Sequence, residues 1–195
     1  MIFLEKIDKL KNSFAMTDCN FQENVTLYGI SQPQKTVAEH IIFSPMPEDV
    51  IRDLIESYIG IIPQSLITIY RQMNGANLFY KNISIKNVSF PYCFFAIFGV
   101  PIESPRVRYE PLDISIEDSE SPEGTPQNWL KFAGYCSFDG VRAKYVLYDL
   151  FVETDTERVF SQIHHDLQCT IVKSWDSIDK CLCDIFDSLS QVSDK

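Results

Sequence analysis

No stretch of the 195-residue chain reaches the ~18 uninterrupted apolar residues that a membrane-spanning helix requires. Its opening, MIFLEKIDKLKNSF, has no basic region ahead of an apolar stretch, and acids and bases interrupt it from Glu5 onward, unlike a secretory leader. The expectation is a cytoplasmic protein with no membrane contact. Basic residues are scarce: 17 Lys and Arg stand against 27 Asp and Glu, a formal net charge of −10. That balance argues against direct binding to nucleic acid or an anionic membrane, since both reward a basic surface, and it suits a basic partner. Internal repeats and low-complexity tracts are missing. So are a phosphate-binding Walker loop, a dinucleotide fingerprint, an HExxH pair and the kinase signatures, which leaves no recognised cofactor site. In a cytoplasmic setting Cys19, Cys93, Cys136, Cys169, Cys181 and Cys183 are expected as reduced thiols. The Asn-x-Ser/Thr triplets at Asn24, Asn82 and Asn87 then carry no meaning.

What is present is material for one core. Apolar residues make up 45% of the chain, enough for a single well-buried domain and too few residues overall for two ordinary ones. Phe3, Ile7, Leu10 and Phe14 recur at helical spacing and predict an N-terminal amphipathic helix. NVTLYGI and AEHIIF read as short strands with Pro33 in the turn between them. Pro47, followed by Glu48 and Asp49, opens a second helix with the stripe Val50, Ile51, Leu54, Ile55 and Tyr58, and Gly60 is placed to end it. Pro63 opens a third, with Leu66, Ile69, Tyr70 and Met73 on one face. Asn74-Gly75 follows, a pair that tolerates the left-handed conformation at a helix end. From Leu78 onward β-branched and aromatic residues dominate, and NVSFPYCFFAIFGV, KYVLYDLFVE and RVFSQI are the best strands. The closing helix is expected to turn Trp175, Ile178, Leu182, Ile185, Phe186 and Leu189 inward, with Ser174 or Asp176 as its N-cap.

Candidate chemistry is thin. His164, His165 and Cys169 are conceivable zinc ligands beside Cys181 and Cys183, but the spacing does not match the paired ligands of structural zinc sites, and adjacent histidines in a strand face opposite ways. Cys136 with His164 or His165 and Asp139 forms the generic nucleophile, base and acid set, yet FAGYCSFDG carries no strained nucleophile turn and buried cysteine is a common core residue. Carboxylate pairs for glycoside chemistry can be drawn among Glu110, Asp113, Glu117 and Asp118, as in any acidic loop. The expectation is no metal, no cofactor and no catalysis. One feature stands out: from Glu110 to Glu123 there are six acids (Glu110, Asp113, Glu117, Asp118, Glu120 and Glu123) and no Lys or Arg. Read as an exposed loop, this stretch is either a solvated connection or a docking surface for a basic protein, with Tyr109 and Trp129 nearby as candidate anchors.

The order of elements resembles that of the SUKH superfamily. IIPQSLITIYRQMNGANLFY resembles the superfamily's proline-initiated helix ending in an Asn-Gly turn before the first main strand. WLKFAGYCSFDGVRAKYVLYDL is similar to its strand pair around an Asp-Gly turn, ERVFSQIHHD to the next strand and turn, and SWDSIDKCLCDIFDSL to its closing helix. The resemblance covers residues 47–189 and implies an α+β fold, a mostly antiparallel sheet packed against helices, with 47–195 as the SUKH-like domain and 1–46 as an N-terminal extension packing on it. It carries over Asn74, Gly75, Asp139 and Gly140 as turn residues and Trp175 as core of the last helix, and none as catalytic. Many bacterial members are immunity proteins that neutralise polymorphic toxins, often nucleases; others resemble regulators of cell-wall glucan synthesis and imply a regulatory or scaffolding module. The extension and the long acidic stretch 102–128 depart from the pattern, and a superfamily that meets diverse toxins is expected to vary such surfaces.

Overall fold

The computed structural model describes residues 1–30, 38–58, 61–85, 88–101, 123–139, 144–164 and 169–193. Helix α1 (Ile2–Ser13) is followed by three short strands, β1 (Cys19–Phe21), β2 (Val25–Tyr28) and β3 (His40–Phe43). Helices α2 (Glu48–Ser57) and α3 (Gln64–Tyr70) lead into β4 (Ala76–Ile85), β5 (Val88–Ile97), β6 (Trp129–Asp139), β7 (Lys144–Glu153), β8 (Val159–Ile163) and β9 (Ile171–Trp175), and α4 (Ile178–Ser193) closes the order. The nine strands form one sheet in sequence order, each antiparallel to the next. This is an α+β fold in which neighbours in sequence pair, the arrangement with the lowest loop-closure cost for a sheet of this width. Among the described residues, no helix is long and apolar enough to cross a membrane.

The helices bury one face of this sheet. Phe3 and Ile7 of α1, Ile51 and Leu54 of α2, Leu66 and Ile69 of α3, and Ile178, Leu182 and Phe186 of α4 share one cluster with Leu78, Phe95, Ile97, Leu130, Leu150 and Val159 from the strands. Each such side chain contributes ~1.5–3 kcal/mol by leaving water. In α2 the stripe is narrower than its periodicity suggests: Ile51 and Leu54 are buried, whereas Ile55 is exposed. Strands β1–β3 are continuous with the rest of the sheet, since β3 pairs with β4 (Ile41 with Asn77, Ile42 with Ala76). Helix α1 has no side-chain cap of its own; Asp179 of α4 accepts from the backbone N–H of Ile2 and Phe3 at 3.1 and 2.9 Å, supplying the acid that a helix N-terminus favours.

The Asn74-Gly75 break between α3 and β4 is a packing device. Gly75 has φ 89°, and a Cβ there would stand 2.6 Å from the carbonyl oxygen of Ile97. Asn74, itself buried, donates from Nδ2 to Val100 O at 2.7 Å and accepts from Val100 N at 2.8 Å, so its amide imitates one rung of a ladder. Gly99 completes the fit, because a Cβ on it would lie 2.3 Å from Asn74 O.

A second backbone irregularity lies where β3 meets β4. Phe79 is buried at φ 58°, a conformation that costs a non-glycine residue ~1–2 kcal/mol. Its N–H turns to Nδ1 of His40 at 3.1 Å, and the two rings meet edge to face at 5.1 Å. Burial pushes the His40 imidazole down to about 4, so Nδ1 is an acceptor and the ring is neutral at physiological pH.

The start of α4 differs from expectation. Trp175 is the last residue of β9 rather than part of the helix, and it reaches the core from the sheet. The cap is Ser177, whose Oγ accepts from Lys180 N at 3.2 Å, in place of Ser174 or Asp176. Ser174 is drawn into β9 by pairing with Phe160 and Asp176 accepts from Lys180 Nζ at 2.8 Å, which leaves Ser177 to accept from the backbone N–H. Pro33 and Gly60 lie outside the described residues.

Candidate functional site on the second face of the sheet

Alternation along β7 separates two environments. Leu150 and Val152 join the helix-covered core, so Asp149 and Phe151 lie on the opposite face. The registers Asp149 with Gln162, Phe151 with Phe160 and Lys131 with Phe151 set their neighbours beside them. The register of β6 with β7 shifts between Lys131 and Ala133, and a bulge there re-aims the side chains around it.

Three ionisable side chains meet on this second face. Lys131 Nζ lies 3.1 Å from Asp149 Oδ1, and His164 Nδ1 lies 2.9 Å from Asp149 Oδ2. The Lys131 and Asp149 side chains are only 9% and 7% exposed, and His164 is 23% exposed, so the imidazole is the one that reaches solvent. Gly134 lies opposite Asp149 with the Phe98 ring nearby, and Lys131 Nζ sits 5.9 Å over that ring. Removing one partner from such a buried pair costs ~3–5 kcal/mol, because the other charge is left without compensation. With both carboxylate oxygens engaged, Asp149 is a fixed anchor for the ammonium and the imidazole.

Next to this trio lies an aromatic group. Trp129 stacks on Phe160 with ring centroids 4.3 Å apart and planes 6° from parallel, and it tilts against Phe151 at 6.1 Å. The Arg158 guanidinium stands 5.3 Å above the Phe160 ring, and Cys169 packs against the group. Gln162, fully buried, donates from Nε2 to Cys169 Sγ at 2.8 Å.

Of the residues singled out for partner binding, Glu123 is exposed; Tyr109, Glu110, Asp113, Glu117, Asp118 and Glu120 lie outside the described residues. Glu123 is fastened next to the Trp129 group. Its carbonyl oxygen accepts from Cys169 N at 3.3 Å, and Cys169 packs against that group. Asn74 and Gly75 occupy the turn described above; Asp139 is the final residue of β6, and Gly140 lies outside the described residues. Trp129 is buried in its stack rather than presented to solvent.

The residues weighed for chemistry are distributed differently from the sets drawn from sequence. Cys169 belongs to the aromatic group of the second face, whereas Cys181 is fully buried in the helix-covered core and its thiol is pushed well up by burial. Burial also raises the Cys136 thiol, whose neighbour is the Tyr92 hydroxyl. The acid beside His164 is Asp149, not Asp139, because His164 lies alongside the middle of β7, its N–H donating to Leu147 O at 2.9 Å. Among the described residues no group of three or more His, Cys, Asp or Glu is placed to hold a metal. Sequence reasoning missed Lys131 and Asp149. The available signal was a lone charge inside an apolar strand, Lys131 in WLKFAG and Asp149 in VLYDLF.

Compared with known protein families, curated proteins and solved structures, the chain matches none.

Proposed function

We propose that the chain is a non-catalytic immunity-type protein that binds and neutralises a basic toxin domain, a nuclease, and thereby blocks nucleic acid from it. The observation that carries the reading is the placement of charge: a chain of net charge −10 concentrates six acids between Glu110 and Glu123. Glu123, the last acid of that stretch, is fastened to Cys169 beside the aromatic group of the second face. A nuclease must be locally basic to hold phosphates, so an acidic surface steers the encounter and competes for the same ground. The SUKH resemblance supports the same reading. The thiol weighed as a nucleophile on sequence grounds, Cys136, has its pKa raised by burial, which disfavours the reactive thiolate.

The test is co-expression with the product of the neighbouring reading frame. If that product is toxic alone, forms an isolable one-to-one complex with this chain and loses its nuclease activity in it, the reading stands. An isolated locus whose neighbours neither bind nor harm the cell would instead favour the regulatory or scaffolding module.

A further inference from the structure

A cleft of about 200 Å³ lies between α4 and the sheet, lined by Tyr135, Ser137, Lys173, Trp175, Asp184 and Ser188 together with two aliphatic side chains of α4. Its chemistry is that of a cation receptor. The Trp175 ring, almost wholly buried, presents one face to the Lys173 ammonium at 4.8 Å from the ring centroid. The Trp175 indole N–H donates to Asp184 Oδ2 at 2.9 Å, which fixes the carboxylate beside the ring, and Lys173 Nζ bonds to the same oxygen. An aromatic face and an oriented carboxylate are the two groups that together select an ammonium or guanidinium. Tyr135, stacked on Tyr148 at 4.8 Å, extends the aromatic wall. Lys173 and Asp184 are about half exposed, so the pair can exchange with solvent and with a competing cation.

We propose that this cleft receives a lysine or arginine side chain of a binding partner, and that Lys173 fills it in the partner's absence. The chain therefore carries its own competitor. Lys173 lies on β9, the last strand of the sheet, where Ile171, Val172, Lys173 and Ser174 are all exposed, so an incoming extended segment has access to the strand from which Lys173 would swing away. The overall charge of −10 favours a basic occupant over an acidic one. The inference does not depend on the partner being a toxin, since it follows from the cleft alone.

The experiment uses the full chain and two synthetic pentapeptides, Gly-Ser-Arg-Ser-Gly and Gly-Ser-Glu-Ser-Gly, with the Trp175 indole N–H followed by NMR and assigned with Trp175→Phe. Lys173→Ala should bind the arginine peptide about tenfold more tightly than the wild type if Lys173 occupies the cleft about nine-tenths of the time. It should ignore the glutamate peptide, and Asp184→Asn in the Lys173→Ala background should lose the binding. Circular dichroism confirms folding of each variant; Lys173→Met replaces Lys173→Ala if the latter does not fold. Equal affinity of wild type and Lys173→Ala, or retention of binding after Asp184→Asn, overturns the proposal.

Discussion

On the helix-covered face, Leu150, Val152 and Val159 meet α-helices in an apolar cluster, whereas on the other face the same two strands hold Asp149 and Phe151, Phe160 and Gln162. One pleat thus serves two purposes. The first face supplies the transfer free energy that folds the chain. The second contains a buried carboxylate between an ammonium and an imidazole, a grouping that an apolar set of the same volume would replace at little cost in stability. The contrast separates residues that hold the fold from residues whose chemistry exceeds what the fold needs.

Changing the first face should have the largest effect. Leu182, fully buried in α4, changed to Asp leaves an unpaired charge in the core; we expect loss of the folded state, seen as loss of the cooperative thermal transition. An unchanged melting temperature would remove α4 from the core. On the second face, Asp149→Ala should cost ~3–5 kcal/mol in chemical denaturation because Lys131 stays buried without its partner. The double change Lys131→Met with Asp149→Leu should recover most of that loss. If the double variant is as unstable as the single, the pair is part of the structural core and the contrast between faces fails.

His40 gives a pH-dependent version of the same contrast, between a buried titratable group in the core and the surface acids. Its folded pKa, about 4, is depressed below the unfolded value near 6.5, so neutral His40 contributes stability that is full above pH 6.5 and is lost as pH falls toward 4. The loss amounts to about 3 kcal/mol, an order-of-magnitude figure from the shift. Urea melts across pH 7 to 4 should show it, and His40→Gln should flatten that part of the profile. Gly75→Val should cost about 1 kcal/mol or more, since the position combines positive φ with a carbonyl oxygen in the way; a change within error would contradict the packing role of the Asn-Gly turn.

Much of the fold was legible because local signals agreed with the global arrangement. Pro63, the Leu66, Ile69 and Tyr70 stripe, and Asn74-Gly75 each mark the same short helix, and α3 spans Gln64–Tyr70 with Gly75 at positive φ. Periodicity failed where a strand abuts a helix. Trp175 and Ile178 have helical spacing, yet β9 pairs with β8 through Trp175 with Val159, and the helix begins only at Ile178. Strand β9 was unreadable for a related reason: Ile171, Val172, Lys173 and Ser174 are all exposed, and an edge strand with no buried face carries no alternation. The candidate site was the least legible part. Lys131 and Asp149 come from two strands and His164 from the turn after a third, and only the register of the sheet brings them together.

The central claim is that the acids of the 110–123 stretch serve capture rather than folding. The direct measurement is the association rate with the toxin domain from the co-expression test, at low and at ~0.15 M salt, where the screening length is about 8 Å. It compares the wild type with a variant in which Asp113, Glu117, Asp118 and Glu120 are changed to Asn or Gln. The account predicts an unchanged or slightly raised melting temperature, slower association and a flatter dependence of the rate on salt. A variant that keeps the wild-type rate and salt slope, or that melts far lower, would contradict it.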